Sequence, residues 1–551
     1  MSLHSLRSTL RSPVIRHWSL VILQTLVLGP WSLVLLFPAH AATVALTDAT
    51  IGQLQAAMTS GALTSEKLTT LFLARIDAYE KSGPKLHAII TLNPKALDEA
   101  RALDAERKTK GPRGPLHGIP ILLKDNIDTV DLPTTGGFYA LRDSYPPQDA
   151  EQTRRLRAAG CVIIAKANLS EFASGAAIST LGGQILNPHV LDRSPSGSSG
   201  GTGAGIAAGF AVFGLGTDTG GSIRGPSSAN GIAGLKPTLG LNGRGGIIPL
   251  SLALDTVGPM ARNVADLAVA LNVMAGLDPR DPVTAAATGK IAADYTTGLK
   301  LDALRGARLG LLRDFMKQDA GIDAIVETAV AILRGKGATV VEIKLPTFVL
   351  GLNSGLYLAI RDPEFKTQVE DYLATLPRKD LPKTHEDIVA LSKKITAPTP
   401  EGWVPNKNRL TAYEREKKAF TVNDQPYLSA LHDGRKIVRD SLTWFLAKEK
   451  LDAFIVPTAS RPPRPIKDES IILPHNIYAG TAILANVTGW PDLIVPAGFT
   501  SDPVLPVGLS FIGPAFSEAR LLALGYAFEQ AHPARALPVT TPVLAGEMIE
   551  Y

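Results

Sequence analysis

Lys124, Ser198 and Ser222 are the residues of this chain whose types and surroundings could share one reaction. Hydrolysis of an amide needs an activated nucleophile, a proton shuttle to the leaving nitrogen, and donors aimed at the tetrahedral oxyanion. Ser222 follows Thr219-Gly220-Gly221, whose N–H groups could form a donor cradle beside its own hydroxyl. Lys124 closes an apolar run from Ile119 to Leu123, where desolvation would turn its amine into a neutral base. Lowering a lysine from about 10.4 to about 7 costs roughly 4 to 5 kcal/mol, which a dry site must supply. Taken singly, each residue has a plainer reading: Lys124 as a surface cation at a strand end, Ser198 and Ser222 as turn residues.

The same glycine-rich stretch admits two other chemistries. Gly203-Ala204-Gly205-Ile206-Ala207-Ala208 fits a Gly-x-Gly-x-x-Ala dinucleotide loop, but no apolar strand leads directly into it. Gly197-Ser198-Ser199-Gly200-Gly201 fits the Gly-x-Ser-x-Gly elbow of α/β-hydrolases with Ser199 as nucleophile. That elbow also needs a strand just before the serine, and Val190 to Ser196 is polar and contains a proline.

The elements that would position these residues alternate between helix and strand. Leu68, Leu71, Phe72, Arg75, Ile76 and Tyr79 recur at helical spacing behind Thr64 as cap, and read as a surface helix. Asp149 to Ala159 reads as a helix stopped by Gly160, and Cys161 to Ala165 as a buried strand. Arg308 to Leu312, a helix over Asp323 to Arg334, and Thr339 to Ile343 repeat the rhythm. Ala453 to Val456, Leu493 to Val495 and Gly508 to Ile512 are further strands. This order predicts an α/β domain with a largely parallel sheet. About 345–450 differs in kind, with many charges, aromatics and polar helical patterns; it reads either as an insertion covering the substrate or as a solvated helical excursion.

Composition narrows the function classes. The 551 residues are 45% hydrophobic and 19% charged, too apolar for a disordered chain, and 50 Gly with 40 Pro disfavour an all-helical one. Lys and Arg number 56 against 51 acids, but Arg7, Arg11 and Arg16 lie in the first 41 residues, which hold no acid. The remainder is nearly neutral, with no electrostatic footprint for nucleic acid. Cys161 is the only cysteine, which excludes an intrachain disulfide and any Cys-x-x-Cys site. Residues 1–41 read as a signal peptide: basic residues, an apolar stretch from Leu20 to Phe37, and Ala39-His40-Ala41 ahead of cleavage after Ala41. Pro30 and the Ala-x-Ala site favour cleavage over an uncleaved anchor. The expectation is an exported, periplasmic or secreted protein without stable membrane association once the signal is removed.

Four blocks, Gly114-Pro115-Leu116-His117-Gly118-Ile119-Pro120-Ile121-Leu122-Leu123-Lys124-Asp125, Gly197 to Gly201, Gly216-Thr217-Asp218-Thr219-Gly220-Gly221-Ser222-Ile223-Arg224, and Gly234-Leu235-Lys236-Pro237-Thr238, closely resemble the amidase signature family in order and spacing. The resemblance spans nearly all of residues 42–551. It implies one large mixed β-sheet flanked by helices on both faces, a Ser-Ser-Lys triad, and no metal or organic cofactor. By match of position it implies Ser222 as nucleophile, Ser198 as bridging serine with an unusual cis peptide, and Lys124 as general base. The N–H groups of Thr219, Gly220, Gly221 and Ser222 match the oxyanion hole, while Asp218 and Arg224 match residues bracing the loop and Ser199 a supporting serine. Ser196 stands where the family often has Gly, and residues 226–230 are more polar than usual; neither departure touches the chemistry. In general look the chain is similar to secreted peptide amidases, which take the C-terminal amide from peptides. The expected substrate is therefore a small-molecule or peptide amide. Aryl acylamidase or carbamate hydrolase activity is the alternative within the family, and a catalytically silent secreted binding protein on the same scaffold is the alternative of another class.

Overall fold

The computed structural model describes residues 42–468 and 482–551. The expected signal peptide and its cleavage site lie outside the described residues. Among the described residues no helix is long and apolar enough to cross a membrane.

An eleven-stranded sheet forms the centre. From one edge to the other its strands are Thr339–Ile343, Arg308–Leu312, Ala453–Pro457, Pro506–Ile512, Asp492–Phe499, Ala233–Lys236, Thr256–Ala261, Phe213–Asp218, Pro120–Lys124, Val162–Ala167 and Ile89–Leu92. Buried Val, Ile, Leu and Phe fill the inner strands, as expected where helices cover a sheet. The sheet is mixed rather than largely parallel: four neighbouring pairs run parallel and six antiparallel. Short apolar runs reveal a strand but not its direction. Asp492–Phe499 and Pro506–Ile512 pair antiparallel with each other, and Thr256–Ala261 runs against both of its neighbours.

Pro120–Lys124 lies parallel to both Val162–Ala167 and Phe213–Asp218. The carboxyl ends of adjacent parallel strands open on the same side of a sheet, where α/β proteins place their ligands. Lys124 ends one of these strands and Thr217-Asp218 end its neighbour, so residues 93 positions apart meet there. The helix Gly200–Ala207 is wholly buried nearby. A Cβ on Gly201 would come within 2.3 Å of the Asn168 carbonyl oxygen, so only glycine permits this approach.

The helix read as a surface element, Ser65–Ile76, is capped by Thr64 as expected, with Lys67, Thr70 and Ala74 exposed on one side and the residues recurring at helical spacing turned inward. Leu68, Phe72 and Arg75 on it are completely buried. The Arg75 guanidinium pairs with Glu547 at 2.7 Å and donates to the carbonyls of Ala208 and Thr541. Helical periodicity could not reveal that a segment 472 residues away in sequence covers this face. Residues 345–450 are mainly helical, with Thr347–Thr375, His385–Ser392, Lys407–Lys417, Gln425–Ser429 and Arg435–Glu449.

Candidate active site

Lys124 is fully buried at the end of its strand. Its Nζ lies 2.7 Å from Ser198 Oγ and 2.8 Å from Thr217 Oγ1, with the Thr217 carbonyl oxygen at 3.4 Å. Asn126 Nδ2 donates to the same Thr217 hydroxyl at 3.1 Å, fixing it from the other side. Burial pushes the Lys124 amine down to about 7, against the opposing pull of the Asp218 and Asp255 carboxylates.

Two other buried lysines show why burial alone does not mark a base. Burial, reinforced by the Arg224 charge, also brings Lys236 to about 7. Its Nζ, however, donates to the carbonyls of Pro237 and Trp490, each at 2.8 Å, groups that have no proton to give. Burial lowers Lys166 as well, against the opposing pull of Asp125, with whose carboxylate its Nζ pairs at 3.1 Å while also donating to Thr134 Oγ1 at 2.8 Å. Lys124 has no carboxylate within ion-pair distance among the described residues, and it meets serine and threonine hydroxyls that can exchange protons with it.

The peptide bond between Gly197 and Ser198 is cis, and Ser198 is buried. Ser199 follows, fully buried, its Oγ donating to the Thr217 carbonyl at 3.2 Å and its N–H donating to the Ser222 carbonyl at 3.2 Å. Residues 194–199 form no strand before it, so the elbow context is absent, and Gly203 to Ala207 lie inside a helix that no strand enters directly. Ser222, by contrast, is half-buried on the loop after Asp218. Among the described residues no hydrogen bond joins the hydroxyls of Ser198 and Ser222; catalytic contacts of this kind often close only around substrate. The backbone link through Ser199 nevertheless ties the two serine-bearing loops together.

Asp218 shapes the loop that carries Ser222. Its carboxylate accepts from Gly221 N and Ile223 N at 2.9 Å each, from Arg224 Nε and Nη2 at 3.0 Å each, and from Asn486 Nδ2 at 2.9 Å. Burial would raise this carboxyl, but Arg224 and the convergent donors hold it well below the usual carboxylate range. Arg224 also reaches Asp492 at 3.1 Å and the Asn486 side-chain oxygen. The Gly221 N–H is thus turned inward to Asp218. This corrects its expected place in the oxyanion hole and leaves the N–H groups of Thr219, Gly220 and Ser222 as candidate donors. Among the described residues, no intrachain hydrogen bond engages the N–H of Gly220 or Ser222.

Several site residues carry no local signal in the sequence. Thr219 Oγ1 donates to Asp255 at 2.5 Å, and the Leu250 and Ser251 N–H groups donate to the other Asp255 oxygen at 2.8 and 3.0 Å. Burial raises Asp255 to about 6 against these hydrogen bonds. A small pocket whose lining includes Asn126, Thr217, Thr219, Arg244 and Asp255 adjoins the site. Thr217 and Asn126 sit within or beside the quoted motifs and can be found there as polar residues at strand ends. Asp255, Asn486 and Asp492 cannot, because nothing near them in sequence distinguishes a buried site carboxylate or amide from a surface one. Among the described residues no cluster of His, Cys, Asp and Glu is arranged to hold a metal ion.

The amidase family model matches residues 67–522. The chain is 38% identical over 489 residues to a subunit of the glutamyl-tRNA(Gln) amidotransferase of Chloroflexus aurantiacus, covering 87% of this chain and 96% of that protein. Among solved structures it resembles the native peptide amidase of Stenotrophomonas maltophilia, with a TM-score of 0.82 and 39% identity over 90% of this chain and 99% of that one. An amidase family protein of Bacillus anthracis superposes with a TM-score of 0.79 at 32% identity, covering 90% of this chain and 92% of that one. Family match, full-length similarity and the shared mixed sheet agree: the chain belongs to the amidase family and is an enzyme that hydrolyses carbon–nitrogen amide bonds.

Proposed function

We propose that this amidase removes the C-terminal carboxamide nitrogen from peptides through an acyl-enzyme on Ser222. The observation that carries the reading is the 2.7 Å contact of a buried, readily neutral Lys124 amine with the Ser198 hydroxyl, on loops tied to the one bearing Ser222. The neutral amine accepts the Ser198 proton while Ser198 Oγ accepts the proton of Ser222, whose oxygen attacks the amide carbon. The developing oxyanion is met by N–H groups of Thr219, Gly220 and Ser222. The relay then returns a proton to the nitrogen, the carbon–nitrogen bond breaks and ammonia leaves. Water, deprotonated along the same path, attacks the ester to give the acid and free Ser222. Asp218 and Arg224 hold the loop in shape, and Ser199 couples the two loops; none of these three touches the reacting atoms. Similarity to the Stenotrophomonas peptide amidase supports the substrate class. Residues 1–41 we read as an export signal, which would keep the enzyme away from the cytosolic tRNA partners of an amidotransferase.

The sign of the pH dependence follows from the base. Below about pH 7 Lys124 is an ammonium and cannot accept a proton, so kcat/KM should rise through neutrality and level off on the alkaline side. A rate profile that peaks in acid would contradict a lysine base. The substrate class is tested by incubating the purified chain with a peptide amide, an anilide, an aliphatic amide and free glutamine, and measuring ammonia or aniline. Fastest turnover is expected on the peptide amide. Preference for the anilide would instead point to an aryl acylamidase, preference for glutamine to the amidotransferase-like reading, and no turnover to a silent scaffold.

A further inference from the structure

One face of the helix Thr347–Thr375 touches three segments, at Ser251 to Ala253, at Ser174 and at Gly220 on the loop bearing Ser222. Tyr357, Arg361 and Glu364 lie at i, i+4 and i+7 on it, the spacing of a single helical face. Glu364 accepts from Ser251 Oγ at 2.6 Å and Ala253 N at 3.0 Å, in the loop that presents Asp255 to Thr219. Arg361 donates to Ser174 Oγ at 2.6 Å, beside Gly175, and is locked in a buried ion network with Asp362 and Glu416. Two of the three contacts are therefore anchors made of buried charge, and they fix the third.

That third contact is Tyr357 over Gly220. A Cβ placed on Gly220 would lie 2.7 Å from the phenol ring and 2.8 Å from its hydroxyl, so the ring rests directly on the loop bearing Ser222. Among the described residues the Tyr357 hydroxyl has no hydrogen-bond partner, although the side chain is half-buried. Burial raises this phenol above its ordinary value, which keeps it a donor throughout the working pH range. Held at the rim of the loop with no protein partner among the described residues, this solvent-reaching donor is free to turn to an acceptor on a substrate seated over Gly220. The leaving –NH2 of a carboxamide is itself a donor, and the loop N–H groups already face the oxyanion. The remaining acceptor is a carbonyl on the acyl side.

We propose that Tyr357 is a specificity-determining residue, its hydroxyl donating to the main-chain carbonyl that precedes the terminal carboxamide of a peptide. This rests on the peptide-amide reading and adds to it a reason why a peptide would outcompete a simple amide. Tyr357→Phe keeps the ring on Gly220 and removes only the donor. The measurement is kcat/KM for a blocked dipeptide amide and for hexanamide, in the wild-type chain and in the variant. The expected result is a fall of about 10-fold to 100-fold on the dipeptide amide, the range of one buried hydrogen bond, with hexanamide little changed. An unchanged ratio between the two substrates, whether both rates fall or neither does, would overturn the proposal while leaving the peptide-amide reading intact. A wild-type chain that does not cleave the dipeptide amide would overturn that reading and the proposal with it.

Discussion

Ser222→Ala should lower amide turnover by at least about 10⁴-fold, the scale seen when a hydrolase loses the nucleophile of a cooperative triad. The reason lies in where the hydroxyl sits. Ser222 is half-buried on the Asp218 loop, open to a substrate, whereas Ser199 is sealed in and its hydroxyl already donates to the Thr217 carbonyl. Because the Ser222 hydroxyl makes no hydrogen bond among the described residues, its removal should leave the thermal unfolding temperature nearly unchanged. Steady-state ammonia release and a melting curve of the same preparation check both statements. Ser199→Ala provides the contrast: the loop tie through its backbone N–H survives, so substantial turnover should remain. Turnover surviving Ser222→Ala but lost in Ser199→Ala would revive the elbow mechanism with Ser199 as nucleophile.

Lys124→Met should separate activity from stability. Turnover should fall by about 10³-fold or more, since a thioether accepts no proton from Ser198. Stability should move the other way. Burial holds the amine near 7 in the folded chain while the unfolded chain keeps the ordinary lysine value, a penalty of roughly 4 kcal/mol at pH 7. The folded chain binds the proton more weakly, so this penalty is full below about pH 7 and fades as pH rises toward the unfolded value near 10.5. Methionine has similar length without the charge, but it strands the hydroxyls of Ser198 and Thr217, which offsets part of the gain. A net stabilisation of about 1 to 3 kcal/mol at pH 7, shrinking by pH 10, is the expected result in thermal unfolding at the two pH values. A variant that is less stable at pH 7 and more stable at pH 10 would mean the amine is not the buried, strained group described here.

Legibility in the sequence tracks the range of the signal. The Lys124 block and the loop from Gly216 to Arg224 are local patterns, and parallel pairing of their strands brings Lys124 to Thr217. Strand positions are legible for the same reason, as short apolar runs between breakers. Strand direction is not: Thr256–Ala261 and the Asp492–Phe499 pair run antiparallel for reasons of chain return that no single run encodes. Arg75 falls on the recurring face of its helix, but what its charge meets there is hidden, because its partner Glu547 belongs to the far end of the chain. Gly221 departs from expectation for a subtler reason. A glycine-rich loop announces free N–H groups, but which of them an adjacent aspartate captures is decided by φ and ψ, not by residue type. Asp255, Asn486 and Tyr357 reach the site from three separate parts of the fold, and only the assembled sheet and helices show their convergence.

The direct test asks which serine oxygen is the nucleophile. Reaction of the purified chain with a fluorophosphonate, followed by digestion and mass mapping, should place one adduct on the peptide containing Ser222, forming faster as pH rises through about 7 with the neutral fraction of Lys124. An adduct on the peptide carrying Ser198 or Ser199, or labelling that ignores pH across that range, would contradict a relay from Ser222 through Ser198 to an uncharged lysine.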